Sequence, residues 1–374
     1  MKRSRLAGLS LLATGSIALG LAATHFRPAN WPSFRGESSL TGVVQGELPD
    51  KLEVAWTFKA GEGVESTAAI VAGTVYVGTW DGFLYALDLN SGDVKWKFKA
   101  EDVILSSPLV AEGTVFFGDE IGNFYAVDAS EGTQKWRFKG FGQFTSSPTF
   151  HKGKVLVGSY DQYLYCFSAK DGSVLWKLET QGYVHSTPAV FGESVLISGC
   201  DGFFRMISIA DGSEQKIVDL RGYLGASPAI RDGRVYVGTF ENDVLCVDLE
   251  KFAVVWRYEH PRRHFPFYSS AAVTEKLVLV GGRDKMLHAI NRTNGQSVWT
   301  FSTRARIDSS PVVVGERVIF ASKSGVIRIL EVSTGKMVWE FDTGAGVVAS
   351  PSLAEGKVVI STDEGLVYCF SGPE

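Results

Sequence analysis

Cysteine is scarce in this chain of 374 residues: there are four, and no two stand side by side. Positions so dispersed do not outline a disulfide framework. Histidine numbers six, without the spacing of a metal site, so no metal is expected. An excess of either charge is missing too. Lys and Arg total 37 against 41 Asp and Glu, well mixed, for a net charge of −4. That excludes the basic field of a nucleic-acid binder and the acidic tail of a cation buffer. No phosphate-cradling loop or nucleophile motif is present, so no catalytic residue is assigned. No window holds helical periodicity over ten residues. The composition, 45% hydrophobic and 12% aromatic, excludes a disordered chain and supplies a sizeable core.

A long uncharged stretch, Leu6 to Thr24, follows Lys2, Arg3 and Arg5. A basic segment ahead of an apolar one is the pattern of an export signal. The stretch is rich in Gly, Ser, Thr and Ala, weakly apolar for a membrane span. Residues 1–24 are therefore expected to be a signal peptide or an N-terminal anchor, with residues 25–51 an extended lead-in. No Cys lies near them for lipid attachment. The expected location is the periplasm or beyond, with membrane contact only through an uncleaved N-terminus.

One phrase is written repeatedly: "SSPLV" from Ser106, "SSPTF" from Ser146, "STPAV" from Ser186, "ASPAI" from Ala226, "SSPVV" from Ser309 and "ASPSL" from Ala349. "STAAI" from Ser66 and "SSAAV" from Ser269 are looser copies. The step is forty residues, with a single step of forty-three. Trp56, Trp96, Trp136, Trp176, Trp256, Trp299 and Trp339 recur in step, and Lys216 stands where an eighth Trp belongs. A period near forty is the mark of a repeat architecture. Each unit carries four short alternating runs rich in Val, Phe, Tyr and Trp, parted by Gly, Asn and Asp turns. Four strands per forty residues make a propeller blade.

Pro cannot donate to a sheet ladder, so Ser-Pro marks the entry to the innermost, edge strand. Trp belongs to the outermost strand, covering the seam with a neighbouring blade. The seam at Lys216 is expected to lose a large ring and be weaker. Cys166, Cys246 and Cys369 share one repeat position with Ala86, Ala126 and Ala289, and read as small buried residues in a tight slot.

The segment 52–60, "LEVAWTFKA", is a Trp strand without a blade before it, and the last unit stops after three strands. One end supplies what the other lacks. The expected fold is all-β: an eight-bladed β-propeller over residues 52–371, closed by an N-terminal strand completing the last blade. Closure removes the open sheet edge.

"SSPLVAEGTVFFGDEIGNFYAVDASEGTQKWRF", with its Gly-x-x-Tyr-Ala-x-Asp core and trailing Trp, resembles the pyrroloquinoline-quinone-type repeat. The resemblance extends over about residues 52–370. An exported eight-bladed propeller of this length is similar to the BamB-type propellers of outer-membrane assembly, and "NWPSFRG" from Asn30 resembles an opening found in exported bacterial propellers. BamB-type lipoproteins have a lipidation Cys, and the dehydrogenases that name the repeat use an adjacent Cys pair at the quinone. Neither is present here, so no cofactor is assigned. The resemblance implies a non-enzymatic envelope scaffold that binds protein or peptide as a monomer. The alternatives are a quinone-dependent dehydrogenase-like protein and a polysaccharide-binding module.

Propeller topology sorts the loops onto two faces. Short polar hairpins such as "AEG" and "LNSGD" share one face. The blade-to-blade loops and the turns between second and third strands share the other. It carries Trp80, Phe141, Phe144, Tyr160, Tyr183, Tyr223, Phe240, Phe265, Phe267 and Tyr268. Aromatic enrichment distinguishes binding surfaces, although several of these rings are expected to pack on neighbouring loops. The insertion "HPRRHFPFY", His260 to Tyr268, falls here and brings Arg262 and Arg263, joined by Arg283, Arg304 and Arg306. His185 and His264 lie on the same face as lone loop histidines. The expected partner-binding set is Trp80, Phe144, Tyr160, Tyr183, Tyr223, Phe240, Arg262, Arg263, Phe267, Tyr268 and Arg283.

Overall fold

A computed structural model describes residues 29–373. The expected signal or anchor, residues 1–24, lies outside them. Among the described residues no helix is long and apolar enough to cross a membrane.

Eight sheets, each with four antiparallel strands, are arranged as blades, and one of them carries a short fifth strand from the lead-in. The first blade runs outward from the axis through Ala69–Val71, Thr74–Gly78, Phe83–Asp88 and Val94–Lys99. Six more blades follow the same order. The eighth takes Ser352–Ala354, Lys357–Ser361 and Leu366–Ser371 from the end of the chain, and its outermost strand, Glu53–Lys59, from the beginning. Trp56 is paired with Cys369 across that junction, so the closure expected from the two ends is the one observed.

The two middle strands of a blade are covered on both faces by neighbours, which is why they read as apolar runs; Thr74–Gly78 is buried throughout. The outer strand alternates, with Val94–Lys99 exposing every second residue. Apolar residues of adjacent blades meet in the seams. Tyr76 and Leu84 of blade one pack with Val115, Phe117 and Tyr125 of blade two, and Phe116 and Phe124 of blade two with Val157 and Phe167 of blade three. The core is thus a ring of seams.

Both serines of the repeated phrase have defined tasks. The first staples its own blade: Ser106 Oγ donates to the Gly118 carbonyl at 3.0 Å and accepts the Gly118 N–H at 2.9 Å. Ser66 and Gly78 do the same. The second joins blade to blade. The Thr67 N–H donates to Ser107 Oγ, and the Ser107 N–H to Ser147 Oγ, both at 3.0 Å. From Thr187 the chain of bonds runs through Ser227, Ser270, Ser310 and Ser350 back to Thr67. Ser186 and Ser269 repeat the staple, while Ala226 and Ala349 stand at that position in two blades. The phrase recurs chiefly because its second position links the blades.

The seam tryptophans work across blades. Trp96 Nε1 donates to the Ala129 carbonyl at 3.1 Å, and Trp136 Nε1 to that of Ala169 at 3.1 Å. Six of the seven indoles cover a left-handed Gly in the next blade's last turn; a Cβ on Gly132 would lie 2.6 Å from the Trp96 ring, and Trp339 instead meets Phe370 at 5.8 Å. The slot opposite the Trp is held by Ala86, Ala126, Cys166, Cys246, Ala289 or Cys369, and by the larger Ile329 opposite Trp339. All four cysteines are free, and burial pushes the Cys166 thiol up to about 12.

At the fourth seam the expectation of a weakened contact is corrected. Lys216 Nζ donates to the carbonyls of Leu249 at 3.0 Å and Glu250 at 2.8 Å, taking over the indole's bond. The Gly of the next turn is here Phe252, also left-handed at φ 51°, and its ring stacks on Phe204 at 5.5 Å. Met206 fills the slot opposite. Three positions changed together keep this seam closed.

The lead-in is part of the fold. Residues 30–46 circle the inner wall of the channel. The carbonyls of Trp31, Pro32, Ser38, Ser39, Thr41 and Gly42 accept N–H groups of Ile70, Val110, Val190, Ile230, Val273 and Val313, one from each of six innermost strands. Val43–Val44 pairs in parallel with Val313 and Val314. Arg35 is fully buried here, Nη2 donating to the Ala271 carbonyl at 3.0 Å, and desolvation pulls its guanidinium down to about 9. The channel is plugged.

Candidate functional site

The funnel above the plug is built on one backbone pattern repeated eight times. In each blade the turn between second and third strands donates an N–H to the carbonyl of the loop entering that blade: Trp80 to Gly63, Glu120 to Val103, Tyr160 to Gln143, Cys200 to Tyr183, Phe240 to Tyr223, Arg283 to Pro266, Lys323 to Arg306 and Asp363 to Gly346, at 2.9–3.0 Å. The backbone is uniform and the side chains are not. Below this upper ring the loops contribute Glu65, Leu105, Thr145, His185, Gly225, Tyr268, Asp308 and Val348, and the floor is the Ser/Thr link ring with Phe34 of the plug. Diversity is confined to the upper levels because the floor residues hold the ring together.

One side of the funnel is aromatic. Tyr160 stacks on Tyr183 with centroids 4.6 Å apart and planes at 7°. Phe240 meets Tyr268 edge to face at 5.8 Å, over Gly225, where a Cβ would come within 2.3 Å of the Phe240 ring. His185 bridges the group: the Tyr160 hydroxyl is 2.7 Å from Nδ1 and the Tyr268 hydroxyl 2.8 Å from Nε2. One imidazole nitrogen donates and the other accepts when the ring is neutral. Burial lowers the His185 pKa and favours that form. Burial also pushes the Tyr268 hydroxyl up to about 12.

The opposite side is charged but internally paired. Arg283 and Arg306 both hold Asp308, at 2.9 and 2.8 Å, and Lys323 holds Asp363 at 2.5 Å. Arg283 also lies 4.5 Å over the Tyr268 ring. Glu65 and Glu120 form no ion pair among the described residues, and burial raises both carboxyl pKa values.

The expected partner-binding residues divide. Tyr183, Tyr223 and Trp80 are exposed, joined by Phe265 and by Phe141, which is 96% exposed. Tyr160, Phe240, Tyr268 and Arg283 are half-buried funnel residues. Arg262 is exposed; Arg263 is pinned to the Asp284 carbonyl at 2.7 Å. Two expectations are corrected. Phe144 is fully buried among Phe124, Phe138 and Tyr165, and Phe267 is buried 5.0 Å from His288. Both follow the Gly that ends a second strand: Cβ atoms on Gly118 and Gly238 would collide with them. They are core keys to which no partner has access. The roles of Glu65, Glu120 and the hydroxyl ring were missed: only the hydroxyls recur at the forty-residue spacing, whereas Glu65 matches Leu105 and Thr145, and Glu120 matches Trp80 and Tyr160.

The funnel does not suit the quinone implied by the repeat resemblance. Pyrroloquinoline quinone carries three carboxylates, whereas the funnel's cations are already held by Asp308 and Asp363. Glu65 and Asp308 line its base, and no two cysteines adjoin.

No curated protein matches this chain by sequence. Among solved structures, BamB from Moraxella catarrhalis is similar at 18% identity and TM-score 0.75, over 86% of this chain and 98% of that one. The quinohemoprotein alcohol dehydrogenase of Comamonas testosteroni is similar at 14% identity and TM-score 0.81, over 93% and 81%. A europium-containing methanol dehydrogenase gives 13% and 0.79, over 92% and 98%. At these identities the likeness is one of fold. The sequence family described as outer membrane protein assembly factor BamB matches residues 49–143, 125–263 and 283–372, leaving out part of the loop into blade six and that blade's first two strands. With repeats matched through most of its length and eight blades closed by its own N-terminal strand, the chain belongs to the BamB family of quinone-type-repeat propellers.

Proposed function

We propose that the protein is a non-enzymatic binding scaffold of the bacterial cell envelope, exported by its N-terminal segment, which captures a protein or peptide on the funnel face as a monomer. The carrying observation is the cluster of exposed rings around the funnel, Phe141, Tyr183, Tyr223, Phe265 and Trp80, set against the polar hairpins of the other face. Exposed aromatics beside paired charges are the composition of interface centres. Membership in the BamB family supports a protein partner.

Site-specific photocrosslinking in growing cells tests this. A crosslinker at Tyr223 or Phe141 is expected to give a reproducible protein adduct, and one at Asn90 or Lys170 on the hairpin face none. Adducts confined to the hairpin face would overturn the assignment. Alanine at Tyr183, Tyr223 or Phe265 is expected to weaken capture by more than about 1 kcal/mol at two or three positions, with folding unchanged.

A further inference from the structure

Beneath the aromatic rim the funnel narrows to a blind pocket of about 190 Å³, closed below by Phe34 and the plug. That is space for roughly six ordered waters or one six-membered ring bearing hydroxyls. Its floor has an unusual hydrogen-bonding character. In the link ring each accepting oxygen takes a backbone N–H from the blade before it. Among the described residues none of these hydroxyls donates to a protein group. Their O–H bonds therefore remain available, and the pocket they line is where a partner can be met. A hydroxyl supplies one donor besides its acceptor sites, so the floor is lined by donors contributed from all eight blades.

The walls supply the complement. Glu65 brings an unpaired, half-buried carboxylate, and an unpaired buried carboxylate gains most from hydroxyl donors. Tyr268 and His185 form an apolar wall whose polar atoms are spent on each other. The cations near the pocket are spent on Asp308 and Asp363. An anion would meet Glu65 and Asp308 without a free counter-charge. A purely apolar group would leave the floor donors and Glu65 unsatisfied, which is costly.

From this donor floor, acceptor wall and absence of free cationic charge, we propose that the blind pocket binds one pyranose ring of a neutral sugar, its hydroxyls bridging the floor and Glu65 and its C–H face toward Tyr268. This site is separate from the rim residues proposed to hold a protein, and the two readings stand or fall independently.

Calorimetric titration and saturation-transfer NMR of the mature chain test it, with methyl glucoside, maltotriose and tri-N-acetylchitotriose as neutral probes and glucuronate as the charged counterpart. Saturable binding of at least one neutral sugar is expected, with a dissociation constant in the millimolar range and glucuronate at least about tenfold weaker. Glu65→Leu is expected to weaken it about tenfold or more. Val348→Phe, which fills the pocket without removing a polar group, is expected to abolish it; melting curves verify that both variants fold. Tyr223→Ala is expected to leave sugar binding unchanged while reducing protein adducts. No saturable binding of any neutral probe, equal or tighter binding of glucuronate, or indifference to both pocket variants would each overturn the proposal.

Discussion

Lys216 and Phe252 together replace the Trp–Gly pair of six other seams: the ammonium bonds the Leu249 carbonyl that an indole would take, and Phe252 occupies the turn position where glycine stands in those seams. Lys216→Trp alone should therefore be destabilising, by about 1–3 kcal/mol, because the indole and the Phe252 Cβ compete for one volume. Lys216→Trp with Phe252→Gly should recover most of that loss. Urea denaturation of both variants and the wild type gives the coupling; additive effects would refute a shared site.

Two truncations separate plug from closure. A chain starting at residue 48 keeps Glu53–Lys59 and so keeps the ring, but frees the N–H groups of Ile70, Val110, Val190, Ile230, Val273 and Val313. At about 1 kcal/mol each, several kcal/mol should be lost, with faster amide exchange at those residues and unfolding still cooperative. A chain starting at residue 61 also opens the eighth blade's outer edge, and should aggregate or melt without cooperativity. Identical melting of both with the longer chain would show that neither segment contributes.

Ser227 accepts the Thr187 N–H. Ser227→Ala leaves that buried donor unsatisfied and should cost about 1–3 kcal/mol. Ser227→Thr should be nearly neutral, since Thr67 and Thr187 already occupy equivalent positions. Equal losses for both would assign the effect to packing.

The funnel should respond to pH through His185. Its folded pKa lies below the ordinary 6.5 because of burial. Above that value the ring is neutral folded and unfolded, and no linkage exists. As pH falls through it, the unfolded chain takes up a proton that the folded chain resists, so stability declines. Glu65 and Glu120 act oppositely nearer the carboxylate range, their raised values favouring the folded state on acidification. Comparison with His185→Gln isolates the imidazole: the variant should be weaker at pH 7.5, having lost the bridge, and the gap should narrow toward pH 5.5. A constant gap would mean that His185 titrates as in the unfolded chain.

Blade number, strand order and closure were legible because each residue of a forty-residue unit meets the same neighbours in every copy, so the period carries the geometry. The Trp–Gly and Ser–Ser contacts repeat with it. What the period could not convey is contact between parts that do not repeat. Residues 30–46 have no counterpart elsewhere in the chain, and only the closed ring creates the channel wall whose unpaired N–H groups they satisfy. Phe144 and Tyr183 both look like loop aromatics in the sequence. The one sits behind Gly118 and points into a seam, while the other, one residue earlier in its own loop, points at solvent, a difference of register that only tertiary packing decides. His185 acquires its two tyrosines from blades three and six in the same way: Gly225, between them in the ring, has no side chain and its place is taken by the Phe240 ring, and residues 83 apart in sequence come within 2.8 Å.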